Sequence, residues 1–282
     1  MTSSSADSDR NLETHLTAIV SARHLGADVV VFPELSLSGY LVEDPAAWAS
    51  EHLEDALAAL QSAAGDLVVL VGAPWPTTRG NAANACLALD AEGVVHVQEK
   101  IYLPDYGVYT EGRRFAAGTS VGSFTIGGRK AGMLICEDVW HPALGYVLRV
   151  HGAELIFHPA ASPRSGIGSS FSSERGWQTV NRAQALYAGA FVVFVNQVGF
   201  DGPTEFWGGS GVIGPDGNDV MTLGGAPETA VFDLDSAVTD ATRDILRMAT
   251  DEDPEFACTA LRTAIDSRSA PRADGPSDGT DR

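Results

Sequence analysis

The stretch Ala131-Gly132-Met133-Leu134-Ile135-Cys136-Glu137-Asp138-Val139-Trp140 decides how this chain is read. Its first half is a short apolar run with no helical period, the pattern of a strand buried on both faces. Its second half turns abruptly acidic, so Cys136 sits where a core strand meets a polar turn. Two other charged residues stand in similar places upstream. Glu34 follows Asp28-Val29-Val30-Val31-Phe32-Pro33, and Lys100 follows Val94-Val95-His96-Val97-Gln98-Glu99. A carboxylate, an ammonium and a thiol at three strand ends are the parts that covalent acyl transfer needs.

Outward from these segments, strands alternate with helical patterns, which predicts a layered α/β domain. A helix is expected over 11–25, where Leu12, Leu16, Ile19 and Val20 fall at helical spacing, and an Ala-rich one over 48–64. The segments 67–73, 84–89, 94–99, 154–157, 191–195, 211–213 and 228–232 read as strands. Further helices are expected over 142–150, 172–189, 236–248 and 254–265. Residues 1–9 read as a disordered leader, 10–266 as the single domain, and 267–282 as a disordered Ser/Pro/Asp/Gly-rich tail.

Bulk composition narrows the function classes. At 282 residues with 44% hydrophobic residues, the chain can bury one substantial core. A net charge of −19 argues against a general nucleic-acid binder, which needs a basic face to release counterions. No apolar run reaches the ~18 residues of a membrane span, and the polar N-terminus has no signal-peptide pattern. Cys86, Cys136 and Cys258 form no C-x-x-C pair, so neither a zinc site nor a disulfide framework is expected, and a reducing cytoplasm is. The histidines form no ligand cluster, so no metal is expected. Lysine occurs only at Lys100 and Lys130. That scarcity fits a GC-rich genome or a salty cytoplasm, where dense carboxylates are screened; we favour the halophilic reading. Gly209-Ser210-Gly211-Val212-Ile213-Gly214 matches G-x-G-x-x-G but runs into the turn Pro215-Asp216-Gly217-Asn218, leaving no helix N-terminus for a pyrophosphate.

Several segments together resemble one family. They are Phe32-Pro33-Glu34; Lys100 with Leu103-Pro104-x-Tyr106-Gly107; Ile135-Cys136-Glu137-Asp138-x-Trp140; and Val195-Asn196-Gln197-Val198-Gly199 with Trp207-Gly208-Gly209-Ser210. In this order they resemble the nitrilase, or carbon–nitrogen hydrolase, superfamily over residues 10–250. The likeness is greatest to the glutaminase domain of glutamine-dependent NAD synthetase and its stand-alone relatives. The resemblance implies a four-layer α-β-β-α sandwich, a Glu-Lys-Cys site without metal or other cofactor, and frequent homodimerisation. It gives Glu34 the role of general base and acid, Cys136 that of nucleophile and Lys100 that of oxyanion donor. Glu111, in the loop Tyr106-Gly107-Val108-Tyr109-Thr110-Glu111, becomes a positioning residue. Tyr106, Glu137, Ser162 and, as a wall, Trp207 are expected to bind substrate.

Two features depart from the family. Its first apolar strand and following Gly-Asp turn have no counterpart in the polar Met1–Asp9, so the first strand is expected to be missing and the true start to lie upstream. After Ser162-Pro163, where the glutaminase domain carries a basic residue suited to the carboxylate of glutamine, this chain has Arg164-Ser165-Gly166-Ile167-Gly168-Ser169-Ser170. The leading expectation is therefore hydrolysis of a small amide through a Cys136 thioester. Two rivals stand beside it: a glutaminase subunit passing ammonia to a separate synthetase partner, and a catalytically silent binding protein.

Overall fold

The computed structural model describes residues 1–165, 168, 171–247 and 251–269. Two sheets lie face to face with helices on their outer sides. The first sheet has the order β1-β2-β3-β4, from Val29–Val31, Val68–Pro76, Ala82–Asp90 and Gly93–Glu99. The second has the order β12-β11-β8-β7-β6-β5, from Asp219–Thr222, Gly211–Ile213, Phe191–Asn196, Leu155–Ala160, Arg129–Met133 and Ser123–Ile126. Helices α1 (Ser8–His24) and α2 (Pro45–Ala64) cover the first sheet, and α3 (Pro142–Val150) and α4 (Ser173–Ala188) cover the second. Strands β9 (Val198–Asp201) and β10 (Thr204–Trp207) form a separate hairpin, and α5 (Ser236–Leu246) and α6 (Pro254–Ser269) follow. This is the expected α-β-β-α sandwich.

The alternation of side chains along β2 and β3 builds both interfaces. Leu70, Cys86 and Ala88 join the layer between the sheets, packed with Met133, Phe157 and Val192. Val69, Val71, Leu87 and Leu89 point the other way, into the layer shared with Ile19, Leu53 and Leu60 of α1 and α2. The antiparallel register Leu70↔Ala88 and Val71↔Leu87 keeps each set on one face, as a period of two requires. In the second sheet β6, β7 and β8 are parallel neighbours, and Phe157 and Phe191 are almost wholly buried, which explains their continuous apolar runs.

The structure departs from the sequence reading in three places. Of residues 1–9, expected as a disordered leader, 8 and 9 open α1 and 1–7 are held against the body. Met1 O accepts from Val198 N at 3.0 Å, Ser3 O from Gln197 Nε2 at 3.0 Å, and Ser5 donates N and Oγ to Asp201 at 2.8 and 2.6 Å. Gly39, at φ +78°, permits this, because a Cβ there would lie 2.3 Å from Ser5 N. The buried Asp201 carboxylate thus pins a polar segment that composition alone marks as loose. Residues 228–232, expected as a strand, have no ladder partner. They instead line a cleft beside β1, whose second edge pairs with no described strand. In the expected tail, 267–269 complete α6, while 270–282 lie outside the described residues. Among the described residues no helix is long and apolar enough to cross a membrane.

Candidate active site

Three strand ends bring the chemistry together. Glu34 leaves β1 through Pro33 and precedes Leu35, a non-glycine residue at φ +49°. Gly72 on β2 makes that turn fit, since any Cβ there would lie 2.3 Å from Leu35 N. Lys100 directly follows β4, and its own N–H donates to Asn84 O of β3 at 2.8 Å. Cys136 follows β6 and opens the short 3₁₀ turn Cys136–Trp140, itself at φ +48°.

Lys100 is fully buried and sits between two buried carboxylates. Its Nζ donates to Glu34 Oε1 at 2.6 Å and to Glu111 Oε1 and Oε2 at 2.8 and 2.7 Å. Around this pair the remaining acceptors are filled. Asn84 Nδ2 donates to Glu34 Oε1 at 2.8 Å, the Ala161 N–H to Glu34 Oε2 at 2.9 Å, and the Tyr40 hydroxyl to Glu111 Oε1 at 2.6 Å. Burial by itself lowers the proton affinity of Lys100, but Glu111 and Glu34 outweigh it and hold the ammonium charged. Burial pushes the Glu111 carboxyl up, and Lys100 opposes the shift. The Cys136 thiol is pushed well up, first by burial and then by Glu34, with Lys100 acting against both. At rest the thiol therefore holds its proton, and a base is required to deliver a thiolate.

Cys136 opens into a cavity of about 270 Å³, lined also by Tyr106, Tyr109, Glu137, Trp140, Ser162, Phe171, Ser173 and Trp177. Tyr106 stands half exposed at its mouth and donates its hydroxyl to Glu137 Oε2 at 2.7 Å. Ser162 Oγ accepts from Trp177 Nε1 at 2.9 Å and lies 2.7 Å from Ser173 Oγ. Tyr106, Glu137 and Ser162 thus line the same cavity as Cys136. Trp207 does not. It is two rings away, because Trp177 stacks on Phe194 at 4.8 Å and Phe194 meets Trp207 at 5.7 Å, and it lines an adjoining cavity of about 110 Å³. Sequence reasoning missed Asn84, Tyr40 and Asp138. For Asn84 the available signal was a polar side chain inside the apolar run 82–89. Among the described residues no cluster of His, Cys, Asp and Glu has the makings of a metal site.

Asp138 ties two of the strand ends together. Its carboxylate accepts from the N–H groups of Ile101 at 3.0 Å and Tyr102 at 2.8 Å, beside Lys100, and of Ile135 at 3.3 Å, beside Cys136. Burial pushes this carboxyl up to about 7, against the pull of the Tyr102, Ile101 and Ile135 amides. An unfolded aspartate titrates near about 3.9, so over the window between, the folded chain holds a proton that unfolding releases. The stability contributed by this group is complete below the unfolded value and is lost as the pH rises through 7. Asp138→Asn is expected to remove up to ~1.4 kcal/mol per pH unit from the slope of stability against pH between about 5 and 7. Denaturant titrations of both proteins across that range check it; parallel curves would refute it.

Comparisons with known proteins place this geometry. The family model for carbon–nitrogen hydrolases matches residues 1–244. A glutamine-dependent NAD(+) synthetase of Rhodobacter capsulatus is 30% identical over 243 residues, covering 82% of this chain and 41% of that protein. The Xylella fastidiosa protein of the same name is 34% identical over 225 residues, covering 73% and 39%. The chain therefore spans about two-fifths of the length of these relatives. Among solved structures, the amidase from Nesterenkonia sp. AN1 is 25% identical with a TM-score of 0.76, covering 92% of this chain and 96% of that one. One structure of that amidase shows Michael addition of acrylamide at its active site cysteine. The buried Glu-Lys-Glu cluster beside a thiol-lined cavity, the sandwich that carries it and the match along 1–244 agree: the chain belongs to the carbon–nitrogen hydrolase family.

Proposed function

We propose that the protein hydrolyses the C–N bond of a small linear carboxamide through a thioester on Cys136, releasing ammonia or an amine. The observation that carries this reading is Lys100, buried between Glu34 and Glu111 and electrostatically coupled to the thiol that lines the cavity. Glu34 takes the Cys136 proton as sulfur attacks the carbonyl carbon. The oxyanion then faces Lys100 Nζ and the N–H of Glu137, donors whose loss typically costs ~3–4 kcal/mol of barrier each. Glu34 returns the proton to the departing nitrogen and next activates the water that cleaves the thioester. Glu111 keeps Lys100 charged and in place, and Asn84 and Ala161 N keep Glu34 aimed.

The test is direct. Acid quenching during turnover of a small amide, followed by peptide mass spectrometry, is expected to show the acyl group on the peptide bearing Cys136. Ammonia release without that adduct, undiminished in Cys136→Ala, would overturn the thioester.

A second reading rests on the coverage: the NAD synthetases matched are spanned over only about two-fifths of their length. In it the chain is a glutaminase subunit that serves a separate synthetase, and glutamine-dependent ammonia release rises when that partner is added. A silent binding role is disfavoured because Glu34, Lys100 and Cys136 are all retained with Glu34 and Lys100 in bonding contact. Homodimerisation belongs to the proposal on the family resemblance, and a cytoplasmic location on the cysteine pattern.

A further inference from the structure

Five of the side chains around the Cys136 cavity are aromatic. Tyr106 and Tyr109 meet edge to face at 5.3 Å and 77°. Trp140 meets Trp177 at 5.3 Å and 74° and Phe171 at 5.9 Å and 60°. The aromatics come from separate segments, Tyr106 and Tyr109 from the loop after β4, Trp140 from the 3₁₀ turn that Cys136 opens, and Phe171 and Trp177 from the start of α4 and the residues before it. All line one space of about 270 Å³. An apolar cavity of about 150 Å³ is enough to hold a benzene ring, so this one has room for a ring and a short linker reaching Cys136. Ring faces and edges at such distances favour a further ring over an aliphatic chain of equal area.

Charge decides the rest. Glu137 is the one formally charged side chain lining the cavity among the described residues, with no lysine or arginine beside it. Arg164 is turned to Glu205, with Nε 2.8 Å from Oε1, and Arg175 is exposed on α4 and does not line the cavity. The first turn of α4, whose amide ends would otherwise attract an anion, already carries Glu174. An acyl group bearing a carboxylate would be brought beside Glu137 with no lysine or arginine lining the cavity to offset it. His141 Nε2 lies 4.0 Å from Glu137 Oε1 but does not line the cavity.

Resting on the amide-hydrolase reading above, we propose that the acyl group taken up by Cys136 is neutral and aromatic, an aryl or short arylalkyl carboxamide, and that glutamine is a poor substrate. The ring lies between the Tyr106–Tyr109 pair and the Trp140–Trp177 pair, and the carboxamide points to Cys136.

The experiment compares 3-phenylpropanamide, hexanamide, 6-aminohexanamide and glutamine. Ammonia release by the wild type gives kcat/KM, and quenching of tryptophan fluorescence in Cys136→Ala gives binding without turnover. The arylalkyl amide is expected to exceed hexanamide by about tenfold and glutamine by about 100-fold in kcat/KM, with the same order in binding. Glutamine, the ammonium amide or hexanamide turned over at least as well would overturn this inference while leaving amide hydrolysis standing. Selective binding of the arylalkyl amide with no turnover of any amide would sustain the aromatic site and overturn the hydrolase reading. No binding and no turnover would sink both.

Discussion

Cys136→Ala is expected to reduce amide hydrolysis by about 10⁵-fold or more, while the protein still folds. The size follows from the role of the residue. Removing the nucleophile of a covalent mechanism typically costs on the order of 10⁶ in kcat, because the remaining groups have no bond to help form. Folding survives because the side chain removed is small and lies at the wall of a cavity rather than in the middle of a packed layer. Ammonia release and thermal melting of the two proteins, measured together, check both halves. Hydrolysis by the alanine variant within tenfold of the wild type would remove the thiol from the reaction.

Lys100→Met is expected to fail more broadly, in stability as well as in rate. Among the described residues the ammonium is the one cation bonded to two buried carboxylates, with Glu34 and Glu111 2.6 and 2.7 Å away. Without it two carboxylates face each other out of water, and breaking a buried ion pair from one side typically costs about 3–5 kcal/mol. One of the two carboxyls then takes up a proton, and under the proposed mechanism the oxyanion loses its charged donor for a further ~3–4 kcal/mol of barrier. We therefore expect a midpoint of denaturation well below that of the wild type and loss of turnover by at least 10²-fold. The double variant Lys100→Met/Glu111→Gln separates the effects: removing one carboxylate recovers much of the stability and none of the activity. Recovery of turnover in the double variant would show that Lys100 acts only as a structural counter-ion.

Residues whose chemistry conflicts with their apolar setting were the legible part of the site. Glu34, Lys100 and Cys136 each end a buried-looking strand, and a charge at such a place needs partners, so their convergence could be read from spacing and motif. Glu111 followed from the family likeness, and in the structure its two carboxylate oxygens each accept a hydrogen bond from Lys100 Nζ. The cavity was less legible, because Tyr109, Phe171 and Trp177 come from distant segments and an aromatic in a loop gives no sign of what it faces. Trp207 shows the same limit from the other side: its motif was recognised, but the stack Trp177–Phe194–Trp207 puts it beyond the wall. Residues 1–7 were misread for a related reason. Their polar composition predicts solvent, and only the distant Asp201 carboxylate converts it into a set of satisfied bonds.

The left-handed backbone at Cys136 has a consequence for how this protein can change. A side chain at φ +48° costs roughly 1–2 kcal/mol relative to an unstrained residue, and glycine is the residue that escapes that cost. The position that chemistry fixes as cysteine is therefore one where thermal selection alone favours glycine. A library sorted only for heat resistance should enrich Cys136→Gly and lose turnover, whereas one sorted for turnover must retain the strained residue and recover stability elsewhere in the sandwich.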